Sequence, residues 1–289
     1  MPYRVSSTVD DSREGREGEK MDRLLIVEKL AKRYERTTVL GSKKEVLALQ
    51  EVSFSIGRGS TLALVGESGS GKSTLAFCIA CLERPTSGRI VFGGNEIAAL
   101  GEKQLREVRP QIQLVFQDPV RSLNPRFSAL EIVSEPLIVQ GRLNKQEREA
   151  RGRALLAQVG IPQEKESQKA DEFSGGQRQR LAIARALSLE PKLLVLDEAL
   201  SALDCSVQAQ IANLLLELQA ALGLTYLFIT HDLGMAAHLA DEIAVMEQGR
   251  VVEMGAADKL LRAPGQEATR RLIAATPRLG AADHRPQVI

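Results

Sequence analysis

Nine consecutive residues, Gly66-Glu67-Ser68-Gly69-Ser70-Gly71-Lys72-Ser73-Thr74, have the types and spacing to hold a polyphosphate. They fit G-x-x-x-x-G-K-[ST] and stand between the apolar run Thr61–Val65, which reads as a buried strand, and Lys72–Leu82, which reads as a helix. In that setting Gly66, Gly69 and Gly71 are expected to take positive φ so that backbone N–H groups converge on phosphate oxygens. The helix start adds unpaired N–H groups and a positive dipole end. Lys72 would reach the β- and γ-phosphates, Ser73 would ligate Mg²⁺, and Ser68 and Thr74 complete the cradle.

Four more groups could work with this turn. Leu193–Leu196 reads as a central parallel strand and ends in Asp197-Glu198, at the strand end where ligands bind in open α/β sheets. Asp197 suits the Mg²⁺ sphere, and Glu198 is placed to activate a water against the γ-phosphate. Ser174-Gly175-Gly176 opens a second helix, Gln177–Leu189, with Leu181, Ile183, Ala184 and Leu187 at helical spacing. It is a second possible anion site, although an ordinary helix cap would look the same. Gln117 closes the apolar run Ile112–Phe116, Ser201–Asp204 reads SALD, and the strand Thr225–Thr230 ends in His231-Asp232.

The order of these six elements resembles the nucleotide-binding subunit of ABC transporters: P-loop, glutamine loop, FSGGQ signature, LLVLDE strand, SALD loop and switch histidine. The likeness runs from Leu24 to Pro277. It implies a P-loop α/β ATPase core with an antiparallel β subdomain and a helical subdomain, with ATP and Mg²⁺ as ligands. It also implies roles residue by residue. Gln117 would sense the γ-phosphate through Mg²⁺ or water, and His231 would hydrogen-bond that phosphate and position the water. Ser174, Gly175, Gly176 and Gln177 would bind ATP held on a facing subunit, with Asp204 connecting the two sites. Tyr34, in the sequence AKRY, stands where the family stacks an aromatic on adenine. One chain with one P-loop and one signature would need a second ATPase subunit, the same or a sister chain, to complete a site.

Phe116–Arg126 (FQDPVRSLNPR), ALEIVSEPL, Val207–Gln219 and the closing segment VEMGAADKLLRAP…TRRLIAATP resemble the peptide and nickel branch of ABC importers. That branch implies two integral membrane permeases, a solute-binding protein acting indirectly, and a peripheral position on the cytoplasmic face of the membrane. Two features depart from it: Ala199-Leu200 follows the acid where Pro-Thr or Pro-Val is usual, and Gln266-Glu267 replaces His-Pro. An accessory subunit of a soluble complex, such as a phosphonate carbon–phosphorus lyase system, resembles the same branch. A DNA-repair or translation ABC protein would need paired nucleotide domains, a long coiled coil or zinc modules, none of which is visible. Asn144-Lys145-Gln146-Glu147 lacks the final Asp of the guanine-reading pattern.

The elements that must position these groups fit 289 residues. Leu24–Lys29, Val52–Ile56 and Arg89–Phe92 read as a smaller antiparallel layer, and Ile243–Met246 and Arg250–Glu253 as a pair joined at Gln248-Gly249. Residues 118–178 read as helical, with helices over Ala129–Val139 and Lys145–Val159. Residues 1–22 and 278–289 read as loose ends, the first too charged for a secretory signal. A net charge of +1, from 38 basic and 37 acidic residues, gives no electrostatic case for nucleic acid. No apolar run approaches the ~20 residues of a membrane span. Cys78, Cys81 and Cys205 cannot all pair, and the C-x-x-C lies within a helix, which suits packing better than zinc or a disulfide.

Overall fold

The computed structural model describes residues 23–37, 43–118, 122–141 and 143–276. The expected loose ends and residues 119–121 of the FQDP segment lie outside that set. Two sheets dominate. Strands β1 (Arg23–Thr37), β2 (Lys43–Gly57), β4 (Ser87–Phe92) and β5 (Asn95–Glu96) form an antiparallel sheet in the order β2-β1-β4-β5. Strands β3 (Thr61–Val65), β6 (Ile112–Val115), β7 (Leu193–Asp197), β8 (Thr225–Thr230), β9 (Glu242–Glu247) and β10 (Arg250–Ala256) form the second, in the order β10-β9-β3-β8-β7-β6. Only the β9–β10 pair in this second sheet is antiparallel.

The central strands of the second sheet, β3, β7 and β8, are buried on both faces, which is why they read as mostly continuous apolar runs. Side chains alternate between two cores. Ala63, Val65, Leu194, Leu196, Tyr226 and Phe228 point into the core on the helical side. Leu62, Leu64, Leu193, Val195, Leu227 and Ile229 point into the core shared with the antiparallel sheet. Cys78 lies in that second core, buried, with its thiol pushed up to about 12 by desolvation.

Helices α1 (Lys72–Ile79), α2 (Glu102–Val108), α3 (Ala129–Gln140), α4 (Lys145–Gln158), α5 (Gly175–Leu187), α6 (Cys205–Leu222), α7 (Leu233–Leu239), α8 (Ala257–Arg262) and α9 (Glu267–Ala275) complete the described elements, apart from three short 3₁₀ turns. The described residues from 122 to 172 are helices and turns plus one bridge, Ser128 with Lys169. Capping boxes start α3 and α4: Ser128 with Glu131, and Asn144 with Glu147.

Several expected boundaries move. Helix α1 stops at Ile79, not Leu82, because Cys81 turns left-handed (φ 58°) and Leu82 N and Glu83 N both return to Phe77 O. Strands β1 and β2 are each 15 residues, far longer than Leu24–Lys29 and Val52–Ile56. Their register shifts near Lys29 (φ 46°) and Glu51 (φ 54°), and those breaks interrupt the alternation by which a strand is read. Helix α5 begins at Gly175, two residues before Gln177, and closes at Leu187, two before Leu189. Cys81 is only partly buried but packs against the second core as expected, and desolvation raises its thiol to about 11.

Candidate functional site

The site forms where β3 and β7 end. The parallel register brings these strands to the two sides of β8. Residues that follow them in sequence therefore meet across that strand. Ser73 Oγ donates to Asp197 Oδ1 at 3.2 Å, joining the first turn of α1 to the end of β7 over 124 positions of chain. Asp197 is buried, and burial pushes its carboxyl above the usual range; the Ser73 hydroxyl and Lys72 pull it back, while Glu198 adds to the rise. Lys72 is buried too, and desolvation lowers its ammonium against the opposing pull of Glu198 and Asp197.

The Lys72 ammonium donates to Gly66 O at 2.8 Å and Glu67 O at 2.9 Å. It is thus folded over its own turn. Gly69 (φ 80°) and Gly71 (φ 105°) have the positive φ expected of them. Gly66 does not; it is glycine because a Cβ there would lie 2.2 Å from Met246 O. Gly71 is the N-cap of α1 and makes no side-chain cap bond, so the helix start remains open to an anion. Ser68 and Gly69 form the exposed rim, in a cleft shared with Gln248 and Arg271.

Glu198 follows Asp197 with φ 48°, a costly conformation for a residue with a Cβ, and its N–H is anchored to Ile229 O at 2.9 Å. Its Oε2 lies 3.9 Å from His231 Nδ1 at the end of β8. Gln117 Nε2 donates to Ser201 Oγ at 3.3 Å, and Ser201 Oγ donates to Glu198 O at 2.8 Å. This bridge from the glutamine through Ser201 to the acid was not read from the sequence. A serine in the SALD segment, one turn after a strand-end carboxylate, was its only sign. Phe77 of α1 meets Phe116, the residue before Gln117, with ring centroids 6.4 Å apart.

Ser174, Gly175 and Gly176 stand apart from this cluster. Ser174 is the N-cap of α5, with Ser174 Oγ accepting from Gln177 N and Gln177 Oε1 accepting from Ser174 N, at 3.4 and 3.2 Å. Gly176 lies against α6, where a Cβ would come within 2.5 Å of Val207 Cγ1. Asp204 caps α6, accepting from Val207 N at 2.9 Å. Tyr34 lies on β1. Its hydroxyl donates to the Glu83 carboxylate and also neighbours Thr74, while Lys32 Nζ sits 5.0 Å from the ring centroid.

Comparison with known proteins agrees with this geometry. A family model described as ABC transporter matches residues 49–201. The dipeptide transport ATP-binding protein DppF of Escherichia coli is 45% identical over 243 residues, 84% of this chain and 73% of DppF. The chain belongs to the ABC transporter family. The di/tripeptide transport ATP-binding protein DppF of Pseudomonas aeruginosa is another relative, 43% identical over 269 residues, 93% of this chain and 83% of its own length. Among solved structures, cbiO1 from Clostridium perfringens, part of the ABC transporter complex cbiONQ, matches with TM-score 0.73 and 33% identity, covering 90% of this chain and 98% of cbiO1. A dimeric post-hydrolysis state of the ATP-binding cassette MJ0796, bound to ADP and Pi, matches with TM-score 0.72 and 31% identity over 81% of this chain and 98% of that one. As a member of this family the chain is a nucleotide-binding ATPase with the P-loop α/β fold. The relatives named for peptide transport do not favour the alternative of an accessory subunit in a soluble lyase system. Among the described residues no helix is long and apolar enough to cross a membrane.

Proposed function

We propose that this chain is the ATP-hydrolysing subunit of an ABC importer for peptides or a related small solute such as nickel. It would work peripherally at the cytoplasmic face of the membrane with two permease subunits, a second ATPase subunit and, indirectly, a solute-binding protein, and it would not engage nucleic acid. The observation that carries the reading is the Ser73–Asp197 pair, with Glu198 and His231 beside it at neighbouring strand ends. The names of the peptide-transport relatives support the solute class.

Lys72 would exchange the carbonyls of Gly66 and Glu67 for phosphate oxygens, a stronger charge-assisted pairing. Ser73 Oγ and Asp197 Oδ1 are two hard oxygen donors already close together, and with Gln117 they would hold a Mg²⁺. Bound there, the ion would neutralise charge on the phosphate oxygens. Glu198 would accept the proton of the attacking water at a carboxylate oxygen, and His231 would orient that water and the γ-phosphate. One face of Tyr34 is occupied by Lys32, so an adenine would stack on the other. Ser174, Gly175, Gly176 and Gln177 would serve ATP on the facing subunit, with Asp204 at the contact between the two sites. The units follow the same plan: a core built on the two sheets, a helical unit over about 118–178, and a closing segment over about 250–277. A groove of about 750 Å³ between β6, α3 and α5, with Phe116, Pro136, Val139 and Arg185 on its walls, would seat the permease.

Co-purification from membranes tests the assembly. The expected result is recovery with integral permeases and an ATPase that rises when a peptide-loaded binding protein is added. Recovery with cytosolic enzymes only, and no response to peptide or nickel, would sink the importer reading.

A further inference from the structure

The two-residue turn between β9 and β10, Gln248-Gly249, touches the P-loop on one side and the antiparallel sheet on the other. Both residues are left-handed, with φ 48° and 80°, as a type I′ hairpin turn requires. Glycine adopts this freely, but Gln248 carries a Cβ, so its surroundings must hold it there. On the inner side, Gly249 N donates to Ser70 O at 2.9 Å. Met246 O crowds Gly66, leaving only 2.2 Å for a Cβ. The hairpin therefore abuts the phosphate turn at its beginning and near its end.

Gln50 of β2 holds the outer side. Its backbone N donates to Gly249 O at 2.8 Å, and its Nε2 donates to Gln248 O at 2.8 Å. Its Oε1 accepts from Arg250 Nε and Nη2 at 3.2 and 3.0 Å. One side-chain amide thus fastens the residues on both sides of Gly249. Two positions earlier, Ala48 O lies where a Cβ on Gly71 or Gly249 would come within 2.5 or 2.8 Å. Strand β2 and the turn close on the P-loop without slack.

We propose that Gln50 is a positioning residue for the nucleotide site: by locking the β9–β10 turn it keeps the P-loop backbone in its phosphate-receiving shape. This rests on the P-loop reading given above. The bonds of Gln50 run to Gln248, Gly249 and Arg250, so it acts through the turn. A loop already in shape binds without an ordering cost, so affinity is what Gln50 sets, while the chemical step stays with Glu198.

The test compares full-length wild type with Gln50→Leu and Gln50→Glu, by titration with a fluorescent ADP, ATPase kinetics and melting of the nucleotide-free chain. Gln50→Leu removes all three side-chain bonds at similar volume. Gln50→Glu retains the acceptor for Arg250 but sets a carboxylate against Gln248 O. Both variants are expected to bind ADP about 3- to 10-fold more weakly, the effect of roughly one hydrogen bond. KM for ATP should rise in parallel, with kcat at saturation nearly unchanged. If Gln50→Leu does not fold, Gln50→Glu carries the test. Wild-type ADP affinity in a folded variant overturns the proposal, and a lowered melting temperature with that affinity assigns Gln50 a structural role alone. A wild-type chain that bound no ADP would sink the P-loop reading and this inference with it.

Discussion

The two glycine turns, Gly66–Thr74 and Phe173–Arg180, each open a helix, yet they are finished differently. At the first, Gly71 offers no side-chain cap, and the first turn of α1 carries buried Lys72 and Ser73, which donates to buried Asp197. At the second, exposed Ser174 and half-buried Gln177 cap each other. The first turn meets carboxylates of its own chain: Asp197 at 3.2 Å from Ser73, with Glu198 following in sequence. The hydrogen bonds of Ser174 run only to Gln177 and Arg178 among the described residues. A glycine turn at a helix start is thus only a capacity to bind an anion; the groups placed opposite decide whether the chain uses it alone.

The largest test of this contrast is Glu198→Gln. Turnover is expected to fall about 10²- to 10⁴-fold while ATP still binds, and the ATP-bound dimer should persist in size-exclusion chromatography. Undiminished hydrolysis would remove Glu198 as the base. A smaller effect separates the turns themselves. Lys72→Ala should weaken ATP binding to the isolated chain by about 10- to 100-fold, the loss of a charge-assisted contact. Ser174→Ala should leave that affinity unchanged, cost about 1 kcal/mol as a lost cap, and lower hydrolysis only where two subunits meet. Equal losses of nucleotide affinity in both variants would break the contrast. The smallest effect is a footprint. Exposed Cys205 follows Asp204 on the signature side. Its alkylation should slow several-fold when ATP is trapped by Glu198→Gln. Cys78 and Cys81, with thiols raised to about 12 and 11, should stay unlabelled at neutral pH in either state, because the thiolate is the reacting form. Mass spectrometry of the labelled peptides reads both.

Much of the site was legible because its residues are adjacent in sequence. Gly66–Thr74 needs only a strand, a turn and a helix, and LLVLDE places its acids by ending a buried strand. The central strands β3, β7 and β8 could be recognised from continuous apolar runs, since both of their faces are covered. The long β1 and β2 strands were legible only in part, because left-handed Lys29 and Glu51 interrupt their alternation. Gly66 shows the same limit at one residue. Its type was explained by backbone freedom, whereas the structure shows a close approach by Met246 O, which lies 180 positions away in sequence.

The sequence by itself determined the fold class, the phosphate turn, the order of the motifs around it and the family. Those follow from local pattern, since periodicity and turn chemistry act over a few residues. Only the tertiary structure decided which groups meet: Ser73 with Asp197, Gln117 through Ser201 to Glu198, and Gln50 with the β9–β10 turn behind the P-loop. Strand order in the sheet and the register between strands set those encounters. Both arise from packing across distant segments, which local pattern does not encode.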